Sequence, residues 1–311
     1  MKFTEDRGRK MELINIKSNL GYIENSCNIG YIVIGEDVIL IDSGLEDAVA
    51  KKILKLLDGE GYKVKAVINT HSHADHCGGN YYMQNKLGAL IYAPEFESAI
   101  IENPYLEPIY LSAGATPLKE LTGKFLMAKP SKVNYIINKT DTKLNIDSVV
   151  LDVVPLLGHA INHIGIGIDN VLFCGDSILN EMLLTKHKIP FNVNIEEQIK
   201  TLNFLRESKY EVYIPSHCSA MNKEELIKAV DENLRTLEDI NNIIVENLKT
   251  YKSLEDIEYH LFKHYEITIT NLTQYSLLKT AIVAHVNYLF NQKRIIKIVE
   301  DNKICWMNTT L

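Results

Sequence analysis

The stretch that most constrains this chain is an apolar run ending in a tight cluster of histidines. Val64-Lys65-Ala66-Val67-Ile68-Asn69 reads as a buried strand, and Thr70-His71-Ser72-His73-Ala74-Asp75-His76-Cys77-Gly78-Gly79 follows it directly. Three imidazoles and a carboxylate within six residues, at a strand end, form a metal-ligand arrangement. Borderline cations such as zinc accept imidazole nitrogen together with carboxylate oxygen. The spacing crowds four side chains too closely for one ion, so two adjacent sites are expected. Gly78-Gly79 lets the backbone turn closely around them.

Order along the chain points to sheets with helices outside. Strands are expected at residues 12–16, 31–34 and 38–41, a helix over 45–57, the strand before the histidines, a helix over 80–87, a strand at 89–92 and a helix from Pro94 to Ile101. Residues 103–145 lose this rhythm. Their prolines and interleaved aromatics fit either a lid or a local minicore. Strands return at 148–154, 164–168 and 171–174, with Asp169-Asn170 as a hairpin turn, followed by a helix over 195–205 and a strand at 211–214.

Three further candidate ligands stand at predicted strand ends. His159 follows Val153–Gly158, Asp176 follows Val171–Gly175, and His217 follows Val212–Ser216. Beyond Asn222 the chain turns to helix formers, with helices expected from Lys223 to Leu248, from Ser253 to Tyr265 and from Leu272 to Phe290. A hairpin about Asp301-Asn302 then reads, with the helices, as a winged-helix-like unit. The expected division is a catalytic domain over 1–220 and a C-terminal unit over 221–311.

Composition narrows the partners. A formal net charge of −7 over 311 residues argues against a general polyanion binder. Residues 221–311 hold 11 Lys and Arg against 13 Asp and Glu, so that unit is expected to pack or to form a homodimer contact, with nucleic acid disfavoured. No apolar run reaches the ~18 residues of a membrane span, and residues 1–17 carry no signal-peptide core. Five widely spaced cysteines (Cys27, Cys77, Cys174, Cys218, Cys305) fit a reducing cytoplasm.

Asp42, His71-x-His73-x-Asp75-His76, His159, Asp176 and His217 occur in the order of the five motifs of the metallo-β-lactamase superfamily, which residues 12–220 resemble. Gly158-His159-Ala160-Ile161-Asn162-His163 is similar to the Gly-His-Thr-Pro-Gly-His segment of its glyoxalase II branch, except in the middle three residues. The resemblance implies an α/β, four-layered αβ/βα sandwich. It implies one metal on His71, His73 and His159, and a second on Asp75, His76 and His217, with Asp176 bridging and Asp42 orienting a ligand imidazole. Asp75, Asp176 and His163 are the residues expected to act in catalysis, Asp75 as a ligand rather than a free base and His163 by orienting a ligand, unless it is only a buried strand histidine.

The implied cofactors are two divalent ions, zinc by default, with iron or manganese also compatible with His/Asp ligands. A hydroxide shared by two such ions would attack an electrophilic carbonyl or phosphorus. An aspartate at position 176, where many antibiotic-cleaving relatives have cysteine, disfavours β-lactams. The expected reaction is therefore hydrolysis of a small-molecule thioester, ester or lactone. RNA cleavage, or persulfide oxidation at a single iron on His71, His159 and Asp176, are the alternatives. Residues 103–135, with Tyr81, Tyr82, Tyr105 and Tyr110, are expected to wall the substrate.

Overall fold

The computed structural model describes residues 11–309. The signal-peptide reading of residues 1–17 and the start of the 1–220 division thus fall partly outside the described residues. A seven-stranded sheet takes its strands in chain order: β1 (Glu12–Lys17), β2 (Leu20–Glu24), β3 (Ile29–Ile34), β4 (Asp37–Ile41), β5 (Lys63–Ile68), β6 (Leu90–Pro94) and β7 (Tyr135–Ile137). The first four form an antiparallel meander, and β4 to β7 run parallel. Parallel neighbours need crossovers. These are α1 (Asp47–Gly59), then α2 (Ala74–Cys77) with α3 (Asn80–Leu87), then α4 (Glu95–Glu102) with α5 (Leu106–Leu111).

A six-stranded sheet contains β8 (Lys143–Ile146), β9 (Val149–Pro155), β10 (Ile164–Ile168), β11 (Val171–Gly175), β12 (Val212–Pro215) and β13 (Met221–Asn222). Only β11 and β12 are parallel, joined through α6 (Glu181–His187) and α7 (Ile195–Glu207).

Period-two side chains bury both faces of the central strands. In β4, Ile39 and Ile41 enter the core between the sheets, while Val38 and Leu40 pack against α1 and α3 with Ile53, Leu57 and Met83. In β11, Val171 and Phe173 face the first sheet, while Leu172 and Cys174 pack on Leu202 and Leu205 of α7. Helix, sheet, sheet, helix is the resulting order of layers, as expected from the sequence.

The C-terminal residues fold as α8 (Lys223–Asn247), β14 (Lys252–Ser253), α9 (Leu254–His264), α10 (Leu272–Asn291) and the hairpin β15 (Ile295–Glu300)–β16 (Lys303–Asn308), with β14 paired to β16. Asn222 opens α8 with a reciprocal capping box to Glu225. Leu226, Ala229, Val230 and Leu237 of α8 share one core cluster with Val154, Leu156 and Leu172. The boundary expected at residue 220 therefore falls beside a helix that covers the second sheet. No helix among the described residues is long and apolar enough to cross a membrane.

Three local expectations differ from the structure. The N-terminal meander has four strands, because Leu20-Gly21-Tyr22-Ile23-Glu24 is buried on both faces and shows no alternation to read. Residues 103–145 contribute two strands that were not expected: β7 ends the first sheet, β8 edges the second, and in the largely irregular stretch before them Leu121, Leu126 and Val133 are buried. Helix α6, opened by the Asn180 side chain accepting from the Leu183 N–H, has no counterpart in the sequence reading.

Candidate metal centre

The seven candidate ligands and Asp42 stand beyond strand ends of the two facing sheets. Asp42 follows β4, His71 to His76 follow β5 with Asp75 and His76 in the short helix α2, His159 lies between β9 and β10, Asp176 follows β11 and His217 follows β12. His71 Nε2 lies 2.9 Å from His73 Nδ1, and His159 Nε2 lies 3.0 Å from the same atom. The far side of each ring is already engaged. Thr70 Oγ1 donates to Asp42 Oδ2 at 2.9 Å and so accepts a hydrogen bond from His71 Nδ1 at 3.0 Å. His159 Nδ1 donates to the Phe191 carbonyl at 3.0 Å. The two Nε2 atoms thus turn lone pairs toward His73, the tautomers a cation requires.

A second group adjoins the first. His76 donates from Nδ1 to Asp42 Oδ2 at 2.8 Å and turns Nε2 toward Asp176 Oδ1 at 3.4 Å and Asp75 Oδ1 at 3.9 Å. His217 donates from Nδ1 to the Ser26 carbonyl at 2.7 Å, with Nε2 3.4 Å from Asp75 Oδ2 and 3.2 Å from Asp176 Oδ2. Asp176 Oδ2 is also 3.5 Å from His159 Nε2, so its carboxylate stands between the groups. Asp176 Oδ1 is buried without a hydrogen-bond partner. A buried, unpartnered carboxylate oxygen facing imidazole nitrogens fits a cation pocket.

Electrostatics divide the groups. Burial drives the pKa of His71 well below its ordinary value, lowers that of His159, and brings His73 down to about 3. Burial also opposes charge on His76 and His217. There Cys27 and the surrounding carboxylates outweigh it and hold both well above the ordinary range. Burial would raise Asp75 and Asp176, yet the same two imidazoles keep both carboxyls low. One side is thus a neutral nitrogen cluster; the other is a cation-demanding carboxylate cluster.

The sequence pattern defining the metallo-beta-lactamase superfamily matches residues 22–217. The chain belongs to the metallo-beta-lactamase superfamily. It is 29% identical over 160 residues to a probable metallo-hydrolase of Methanocaldococcus jannaschii, covering 51% of this chain and 68% of that one. A hydroxyacylglutathione hydrolase of Thiobacillus denitrificans is 25% identical over 123 residues, 39% of this chain and only 36% of that protein's length. Among solved structures, a metallo-beta-lactamase family protein of Thermus thermophilus superposes with a TM-score of 0.70 at 17% identity, over 91% of this chain and 93% of its own. The chain has the fold of this superfamily and is a hydrolase of that family.

In this member of the metallo-beta-lactamase superfamily, His163 is fully buried, and its Nε2 accepts from the Asp176 N–H at 3.0 Å, so it holds the Asp176 loop. Tyr82 is half-buried, packed against the helix–sheet core beneath Lys51. Tyr81 lies 40% exposed under Lys129, and Tyr105 stands exposed before α5. Tyr110 bonds through its hydroxyl to Glu107, a buried acid pushed well above the usual carboxylate range by burial and then by Asp75.

Four neighbours of the donors had no sequence signal. Glu97 of α4 accepts from the Ser72 N–H at 3.0 Å and hydroxyl at 2.6 Å, and from the Asn162 N–H at 3.0 Å, joining the two histidine loops. Cys27 Sγ lies 3.8 Å from both ring nitrogens of His76 and forms a further potential donor set with His76 and His217. Phe191 sets its ring 5.6 Å from that of His73 and 5.7 Å from that of His159. His187, brought down to about 4 by burial and then by Lys186, is within the field of His217 and Asp176. Each depends on contacts across the fold, which residue spacing does not encode.

Proposed function

We propose that the chain is a dinuclear metal-dependent hydrolase of a small thioester, ester or lactone. One observation carries this reading: two adjoining donor groups share Asp176, and the three-histidine group has both outer imidazoles anchored at Nδ1 with their Nε2 atoms converging on His73 Nδ1. His71, His73 and His159 would hold one ion; Asp75, His76 and His217 would hold the other, with Asp176 touching both. Zinc fits these donors, as do iron and manganese. The bound ions would supply Lewis acidity and a water acidic enough to react near neutral pH.

The chain's own part is orientation. Asp42 accepts hydrogen bonds from His76 Nδ1 and Thr70 Oγ1, and so fixes the His76 ring directly and the His71 ring through Thr70. Phe191 provides an apolar flank beside His73, suited to the carbon skeleton of an acyl substrate. The C-terminal region is proposed to be of the winged-helix kind, an assignment supported by the order α8, β14, α9, α10, β15, β16 and by the β14–β16 pairing. Its balance of charges favours packing, or contact with a second copy, over nucleic acid. Unpaired thiols at all five cysteines are in keeping with a cytoplasmic setting.

A hydrolysis panel of thioester, lactone, phosphodiester and β-lactam substrates, with metal quantified in the same preparation, tests the reading. Thioester or lactone turnover that disappears in His73→Ala is the expected result. RNA cleavage with a steep salt dependence, or oxygen uptake with a persulfide, would overturn it.

A further inference from the structure

The segment after α6 connects two distant parts of the molecule. Lys188 ends α6 at φ 62° and ψ −50°, and the Ile189 N–H donates to the His187 carbonyl at 2.6 Å. This is the strained form of the three-residue turn, which a residue with a Cβ adopts only where its surroundings enforce it. The enforcing contacts come from the C-terminal helices. Lys188 Nζ donates to the Tyr265 carbonyl at the end of α9. Ile189, 2% exposed, is packed in the C-terminal core with Ile240, Ile244, Ile257, Leu261 and Leu289.

Downstream, the same segment grips the His159 loop. The Phe191 carbonyl accepts from His159 Nδ1, and the N–H groups of Val193 and Asn194 donate to the Gly158 carbonyl at 2.8 and 3.1 Å. We propose that residues 187–194 form a positioning strap through which the C-terminal helices set the tautomer and orientation of His159, and with it the three-histidine pocket. Anchored at Ile189, the strap holds the Phe191 carbonyl where only an Nδ1–H imidazole satisfies it, leaving Nε2 as the free donor. Its effect on ion binding rests on the metal-centre reading; its effect on the His159 ring does not.

The experiment uses the full chain carrying Ile189→Ala, Ile189→Val or Lys188→Ala, the last removing the Tyr265 anchor while keeping the strained turn, without opening a core cavity. In the ion-free protein, imidazole nitrogen NMR shifts report the His159 tautomer. A single Nδ1–H form is expected in the parent chain and in Ile189→Val, and a mixture in Ile189→Ala and Lys188→Ala. In a His217→Ala background, which leaves the three-histidine position complete, chelator competition should show ion affinity about 10- to 100-fold weaker in the two loosened variants and restored by Ile189→Val.

An unchanged His159 tautomer in folded Ile189→Ala and Lys188→Ala overturns the strap, as does an affinity within about twofold of the parent background. If Ile189→Ala fails to fold, Lys188→Ala decides. A parent chain that binds no ion refutes the metal centre, while the tautomer measurement still decides the strap.

Discussion

Glu97 uses both carboxylate oxygens to hold the loops that carry His71, His73 and His159 in a common frame. Glu97→Gln forces an amide NH2 against at least one of three donors, leaving buried groups unpaired. The expected loss is about 1–3 kcal/mol of stability, read as a lower urea midpoint at unchanged slope. The donors themselves were legible because few side chains ligate cations and their spacing around strand ends is distinctive. Glu97 was not, because one glutamate in an ordinary amphipathic helix looks like a solvated charge. Cys27 and Phe191 were equally silent, since a thiol or a ring acquires meaning only from what lies across the fold.

At the scale of elements, Gly158 shows how the His159 loop is fitted to α7. Its φ is +128°, and a Cβ there would fall 2.5 Å from Gln198 Cα. Gly158→Ala should therefore cost roughly 2 kcal/mol or more, through backbone strain and displacement of α7. Gly59, at the end of α1 with open space around it, provides the contrast: Gly59→Ala should be neutral or stabilising by up to about 1 kcal/mol. Denaturation curves of the two variants side by side check both signs.

Strand and helix order could be read where periodicity was clear, including the hairpin turn at Asp169 (φ 47°) and Asn170 (φ 65°). It failed at β2, where burial on both faces erases alternation. It failed again at β7 and β8, whose three and four residues are fixed by neighbouring strands rather than by their own pattern.

Across the whole molecule, the C-terminal helices carry their own pH dependence. His285 is fully buried between α8 and α10, where its Nδ1 donates to Asn241 Oδ1 at 2.8 Å, and burial takes its pKa from 6.5 down to about 3. The unfolded chain takes up this proton first on acidification. The stabilising contribution is complete above about pH 6.5 and is lost as the pH falls toward 3, with a slope approaching 1.4 kcal/mol per pH unit. Denaturation measured from pH 7 to 4 should show that slope reduced in His285→Gln, which keeps a polar partner for Asn241 but does not titrate. Sequence placed this histidine on a helix but had no means of finding its burial, which arises only when α8 and α10 pack.

The donors divide between the two sheets: His71, His73, Asp75 and His76 follow a strand of the first, and His159, Asp176 and His217 follow strands of the second. During synthesis from the N-terminus the first sheet leaves the ribosome with three imidazoles exposed and no counterpart to close on them. Both donor groups are complete only when His159, Asp176 and His217 have emerged and the sheets have docked. A nascent chain that ends before the second sheet therefore carries only His71, His73, Asp75 and His76 of the seven donors.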